Sequence, residues 1–210
     1  MNPVTATTEA RTSYHHGNLR AALVETATEL ARQDGPDAVV MREVARRAGV
    51  SHNAAYRHFA DRDALLAAVA AEGMTQLEET MRRRMAEVSE TDPRRRASQR
   101  LRAAGRAYIE FASTEPGLFS VAFDSTKLAE GSPYEPSLEG PFVLLNALLD
   151  DGVAAGAISP DKRPMAEFGC WSAVHGFAIL SGCEPVRELP EAARTAAMEV
   201  MLTVLEDGLA

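Results

Sequence analysis

At 210 residues the chain is long enough for one large domain or two small ones, and 46% hydrophobic with 25% charged residues excludes disordered and fibrous classes. No apolar run approaches the ~18 residues of a membrane span and the opening MNPVTATTEARTSYHHGN has no signal-peptide core, so a cytoplasmic protein is expected. The net charge of −8 is unevenly placed: residues 1–60 hold seven Arg against six acids, residues 61–210 fifteen basic against twenty-four acidic side chains. A near-neutral, Arg-bearing head on an acidic body fits a nucleic-acid binder better than the total charge suggests.

Helix signals recur and alternating β-branched strands are absent, so an all-α fold of about nine helices is expected. Residues 1–16 read as a flexible arm, where Tyr14, His15 and His16 fit a disordered tail and a backbone or minor-groove contact equally well. A first helix runs from about Asn18 to Asp34, with Leu19, Leu23, Ala27 and Leu30 on one face and Gly35-Pro36 ending it. A second covers Met41 to Arg47, and Gly49 stops it. The third starts at Ser51, a good N-cap, and reaches about His58. Asp61 caps a long fourth helix carrying Leu66, Val69, Met74, Leu77, Met81 and Val88 at three-four spacing. Asp92-Pro93 opens a fifth, broken at Glu115-Pro116-Gly117, and a short helix with Leu118, Phe119, Val121 and Phe123 follows. After a Gly/Ser/Pro-rich loop to Pro136, three more helices fit 137–156, 161–181 and 190–207.

Residues 40–59, VMREVARRAGVSHNAAYRHF, form two helices around a tight turn. Val44, Ala45, Val50, Ala55 and Phe59 face inward, and Gly49 supplies the positive φ of the turn. His52, Asn53, Tyr56 and Arg57 are left on the outer face of the second helix. All four side chains can make hydrogen bonds, which suits a helix entering a major groove ~12 Å wide. A merely solvated helix face explains single polar residues but not turn, core spacing and basic cap together.

The stretch 17–70, above all REVARRAGVSHNAAYRHFADRDALLAAVA, resembles the DNA-binding domain of the TetR family of bacterial regulators. The matching features are the Ala-Gly-Val turn, Tyr56-x-His58-Phe59 closing the recognition helix, and the basic Arg62 opening the next one. The resemblance implies a head over 17–75 and a ligand-binding and dimerisation body over 76–210. Tyr56, Arg57, His58 and Arg62 would grip phosphates or nearby bases, His52 and Asn53 would reach base edges, Ser51 would stand at the DNA-facing start of the helix, and Arg42 would touch the flanking backbone. One departure is Val40, where the family places Ser or Thr; Val accepts no amide hydrogen, so ~1 kcal/mol of capping and one phosphate contact are expected to be missing.

In the body, Cys170-Trp171-Ser172-Ala173-Val174-His175-Gly176, preceded by Pro116-Gly117-Leu118-Phe119, resembles a TetR subgroup with a Trp-x-x-x-His-Gly motif. Trp171 and His175 are one helical turn apart, and Gly176 allows close approach of a helix or ligand. Tyr108, Phe111, Phe119, Phe123, Leu145 and Trp171, with His175 as polar anchor, fit an apolar effector pocket. The same residues also fit an ordinary core. Small residues on the last two helices (Gly169, Ser172, Ala173, Ala192, Ala193, Ala196, Ala197) fit the four-helix dimer interface that the family builds, or intrachain packing. The partners expected are therefore inverted-repeat double-stranded DNA, a small-molecule effector and a second copy of the chain, with the effector releasing a repressor from its operator.

No cofactor or metal is expected. An enzyme would need converging acid-base or nucleophilic groups, and Cys170 and His175, five apart on a helix, point apart. A metal or thiol sensor built from His175, Cys170 and Cys183 is the remaining alternative.

Overall fold

The computed structural model describes residues 19–123 and 140–210. Among these, all regular structure is helical: α1 (Leu19–Asp34), α2 (Met41–Arg47), α3 (His52–Tyr56), α4 (Arg62–Ala86), α5 (Pro93–Thr114), α6 (Pro116–Phe123), α7 (Pro141–Ala154), α8 (Ala166–Ser181) and α9 (Glu191–Leu209), with short 3₁₀ turns between some of them. The expected arm 1–16, Asn18 at the start of the first helix, the Gly/Ser/Pro-rich loop and residues 137–139 of the expected helix 137–156 fall outside the described residues.

Local chemistry explains most boundaries. Ser51, Asp61 and Asp92 each accept a hydrogen bond from the backbone N–H three residues on, at 3.2, 2.8 and 2.9 Å, which satisfies one orphan donor at the start of α3, α4 and α5. Val40 precedes α2 with no side-chain cap. Gly49 turns the chain at φ 71°. Two expected spans are corrected. Val88 lies beyond α4, which ends at Ala86. The eighth helix starts at Ala166, not 161, because Pro160 and Pro164 lack amide donors and Met165 takes a left-handed φ of 63°.

Leu23 and Leu30 of α1, Val44 of α2, Ala55 of α3, Leu65 and Leu77 of α4, and Leu118 of α6 belong to one continuous hydrophobic cluster that extends to Leu144, Val174 and Leu202. No seam of polar residues separates the first three helices from the rest. The α6 start lies directly on α1: a Cβ added to Gly117 would come within 2.0 Å of the Ala31 carbonyl oxygen. Arg32 at the end of α1 pins this junction, donating from Nε to Glu115 at 2.9 Å and from an Nη to Gln76 of α4 at 2.5 Å.

Candidate DNA-binding head and body cavity

In the head, α2 and α3 pack through Val44, Ala45 and Ala55, with Phe59 closing the core behind α3. This inward set turns the opposite face out. Ser51, His52, Asn53, Tyr56, Arg57 and His58 are all exposed, as is Arg42 on α2. Tyr56 keeps 44% of its surface open, high for an aromatic residue, and its ring meets the edge of His52 with centroids 4.7 Å apart. Two neighbouring cations are tied down: Arg46 and Arg47 share Glu43, and their hydrogen bonds, Arg46's first, hold its carboxyl at about 2. Arg42 and Arg57 are exposed cations at this surface with no ion-pair partner among the described residues.

Arg62 has partners within the head. Its Nε donates to the Val39 carbonyl at 2.7 Å and an Nη to the Pro36 carbonyl at 2.6 Å, with Asp37 3.8 Å away. The guanidinium staples the start of α4 to the turn between α1 and α2, an internal role that the sequence pattern did not indicate. Two charge-assisted hydrogen bonds contribute ~1.5–3 kcal/mol each at most sites. With the guanidinium 32% exposed and water able to reach the carbonyls once it is gone, Arg62→Ala should lower the denaturant midpoint and destabilise the protein by about 2 kcal/mol, less than the sum of the two bonds, and a midpoint equal to wild type would show the staple to be dispensable.

The body holds a cavity of about 950 Å³ between α4, α5, α7, α8 and α9. Tyr108, Phe123, Leu145, Trp171 and His175 line it. Phe111 and Phe119 do not, which corrects two expected positions. Phe111 is 3% exposed within the main core, and Phe119 sits one layer behind, stacked on His175 at 5.6 Å and edge-on to Tyr108 at 5.8 Å. Met74 and Glu78 of α4, Phe142 of α7, Phe168 of α8, and the Arg102 and Glu206 pair also line the wall and were not singled out by pattern.

At one end three polar groups meet. The Tyr108 hydroxyl lies 2.8 Å from His175 Nδ1 and accepts the Trp171 indole N–H at 3.3 Å. Burial pushes the Tyr108 phenol up and the His175 imidazole down, so both are neutral near pH 7. At the other end Arg102 is held by Glu199 at 2.7 Å and Glu206 at 2.5 Å, while Arg106 also binds Glu199 at 2.6 Å and helps hold its carboxyl near about 2. Gly176 faces open space, and no described residue of another helix comes within 4 Å of where its Cβ would stand. Cys170 is buried and its thiol is raised to about 11 by that burial, whereas Cys183 is exposed. No group of three or more potential metal ligands converges among the described residues.

A second groove of about 1060 Å³ is more polar, and its Arg84, Arg102 and Arg106 are each paired with a Glu. Among the described residues, no helix is long and apolar enough to cross a membrane.

Known proteins resemble the chain in both parts. Residues 23–69 match the family described as bacterial regulatory proteins, tetR family, and residues 101–207 match the tetracyclin repressor-like C-terminal domain. The chain is 24% identical over 164 residues to the HTH-type transcriptional regulator YobS of Bacillus subtilis, covering 78% of this chain and 79% of that protein. A solved structure of a protein from Rhodococcus sp. RHA1 superposes with a TM-score of 0.75 at 29% identity, over 93% of this chain and 100% of that one. The TetR transcriptional regulator SCO0520 of Streptomyces coelicolor superposes with a TM-score of 0.55 at 28% identity, over 90% and 97%. With a helix-turn-helix at one end, a tetracyclin repressor-like body at the other and regulators as its relatives, the chain belongs to the TetR family and is a DNA-binding transcriptional regulator.

Proposed function

We propose that the chain is a homodimeric repressor that leaves a palindromic operator when a small, largely apolar ligand fills the body cavity. The observation carrying this reading is that α4 and α6 each belong to both places. α4 starts at Arg62 beside the head and passes the cavity wall at Met74 and Glu78; α6 rests on α1 at Gly117 and meets the cavity at Phe123. A ligand that prefers a displaced wall thereby prefers a displaced head. Coupling of this kind is typically worth ~1–3 kcal/mol, about 5- to 150-fold in affinity.

On the DNA side, His52 and Asn53 read base edges, and Tyr56, Arg57, His58 and Arg42 hold the backbone. Residues 17–75 act as the reading head and 76–210 as the effector and dimerisation body, the division falling inside the continuous α4. The motif Trp171-x-x-x-His175-Gly176 supports placing the body in the Trp-x-x-x-His-Gly subgroup. A repressor of this kind works in the cytoplasm, where its operator is.

Trp171 is the single tryptophan and lines the cavity, so its fluorescence reports occupancy. Apolar compounds that quench it should raise the DNA dissociation constant about 5- to 150-fold. Quenchers that leave DNA affinity unchanged would overturn the reading.

For the dimer, α8 and α9 leave Ile179, Leu180, Val200 and Val204 between 48% and 65% exposed beside open Gly169 and Gly176. Such an apolar face on one chain calls for a partner, and two-fold pairing would set half-site centres roughly 34–36 Å or slightly more apart. Val200→Glu with Val204→Glu should convert a dimer sedimenting at micromolar concentration into monomer and remove preference for inverted repeats. A monomeric wild-type protein under the same conditions would reject this interface.

A further inference from the structure

The hydrogen bonds at the polar end of the cavity fix what it offers a ligand. Trp171 Nε1 only donates, and it points at the Tyr108 oxygen. If His175 Nδ1–H also donated to that oxygen, the phenolic hydrogen would have no acceptor among the described residues. When Tyr108 donates to Nδ1 instead, all three groups are satisfied in sequence, and the proton of the neutral imidazole is on Nε2. That Nε2–H is the one donor of the trio without a protein partner among the described residues, on a residue that lines the cavity.

Charge points the same way. Apart from the neutral His175, Arg102 is the single basic side chain among the described residues of the lining; Glu199, Glu206 and Thr203 accept from its Nε and both Nη groups, and the two carboxylates offset its charge. Glu78 and Glu206 add two acids to the lining, so its described residues carry net negative charge. Glu78 in turn is bound by Arg82 at 2.6 Å. An anion entering here would be stripped of water with no unpaired cation among the described lining residues to receive it. An ammonium would find both carboxylates engaged and the far end occupied by a donor.

We infer, building on the reading of this cavity as the effector site, that it accepts an uncharged, mainly apolar ligand with a hydrogen-bond acceptor facing His175, and rejects anionic amphiphiles such as free fatty acids. The acceptor can be a ketone, ester, ether or hydroxyl oxygen, since one N–H distinguishes none of them.

The test titrates the intact protein at neutral pH, following Trp171 fluorescence, with methyl nonyl ketone, undecanoate and undecylammonium, which share an eleven-carbon skeleton. Displacement of Nile red, an uncharged dye, is followed in parallel. The ketone should bind at least ~100-fold more tightly than undecanoate and more tightly than undecylammonium. With Tyr108→Phe present in every protein compared, so that no phenolic hydrogen is released into the cavity, His175→Phe keeps an aromatic ring against Phe119 and Phe123 but has no donor, and should weaken the ketone about 10-fold; His175→Gln, which restores an N–H, should recover part of that loss. Undecanoate or undecylammonium binding as tightly as the ketone, or a ketone indifferent to His175→Phe, overturns the inference and leaves the effector reading intact. Nile red entering while the ketone fails to displace it also overturns it. If neither the dye nor any of the three compounds enters, the effector reading itself fails and takes this inference with it.

Discussion

Gly117→Ala should lower the melting temperature by about 6–12 °C, corresponding to ~3 kcal/mol for a chain of this size. The reason is what the added methyl would meet. At Gly117 a Cβ would come within 2.0 Å of the Ala31 carbonyl oxygen and 3.0 Å of its carbon, both backbone atoms of α1 that no rotamer change can withdraw. Either α6 leaves α1 or α1 bends, and both break the contact that joins the head to the cavity wall. Gly105→Ala is the matched control. Its Cβ would meet the Leu202 Cδ2 at 2.9 Å, the end of a flexible side chain that can rotate away, so its cost should stay within about 1 kcal/mol. Differential scanning calorimetry of the two variants separates these cases. Equal melting temperatures would mean that the α1–α6 approach tolerates a methyl group and does not hold the junction.

His52→Ala with Asn53→Ala should abolish selection among DNA sequences while leaving the fold intact. Both side chains are exposed on α3 and neither caps it, that role falling to Ser51, so alanine costs the helix nothing. Base-edge contacts are worth ~1–3 kcal/mol each, so losing two should reduce discrimination between a cognate and a random duplex by roughly 30-fold or more. Arg42→Ala should instead weaken binding to every duplex alike, because a phosphate contact carries no sequence information. Gel-shift titrations with both duplexes distinguish these patterns. Unchanged discrimination in the double variant would remove His52 and Asn53 from the reading face.

Much of the architecture was legible from short-range chemistry. Asp92-Pro93, Asp61, Ser51 and Gly49 each mark a helix boundary through a hydrogen bond or a backbone angle that closes within a few residues, so nearby sequence suffices to find them. The buried row Val44, Ala45, Ala55 and Phe59 follows from helical period in the same way, and it exposes His52, Asn53, Tyr56 and Arg57 as a consequence. Val40 read correctly as an uncapped start because a Val side chain has nothing to accept with.

Long-range placement set the remainder. Arg62 opens a helix beside a recognition helix, which resembles a phosphate contact, yet its carbonyl partners on Pro36 and Val39 are 26 and 23 residues away and no local pattern announces them. Tyr108 and Phe111 are three apart on α5 and share a face, so periodicity treats them alike. Their height along the helix separates them: Tyr108 meets Trp171 and His175 of α8, and Phe111, about 4.5 Å further on, enters the closed core. Phe119 and Phe123 divide in the same manner on α6. The hydrogen-bonded trio and the sequestered Arg102 exist because α5 runs between α8 and α9, a meeting of segments more than sixty residues apart in the chain. Backbone hydrogen bonding and side-chain period act over one or two turns, which is why they specify helices; a cavity is the space left when those helices pack, and its lining depends on every crossing at once.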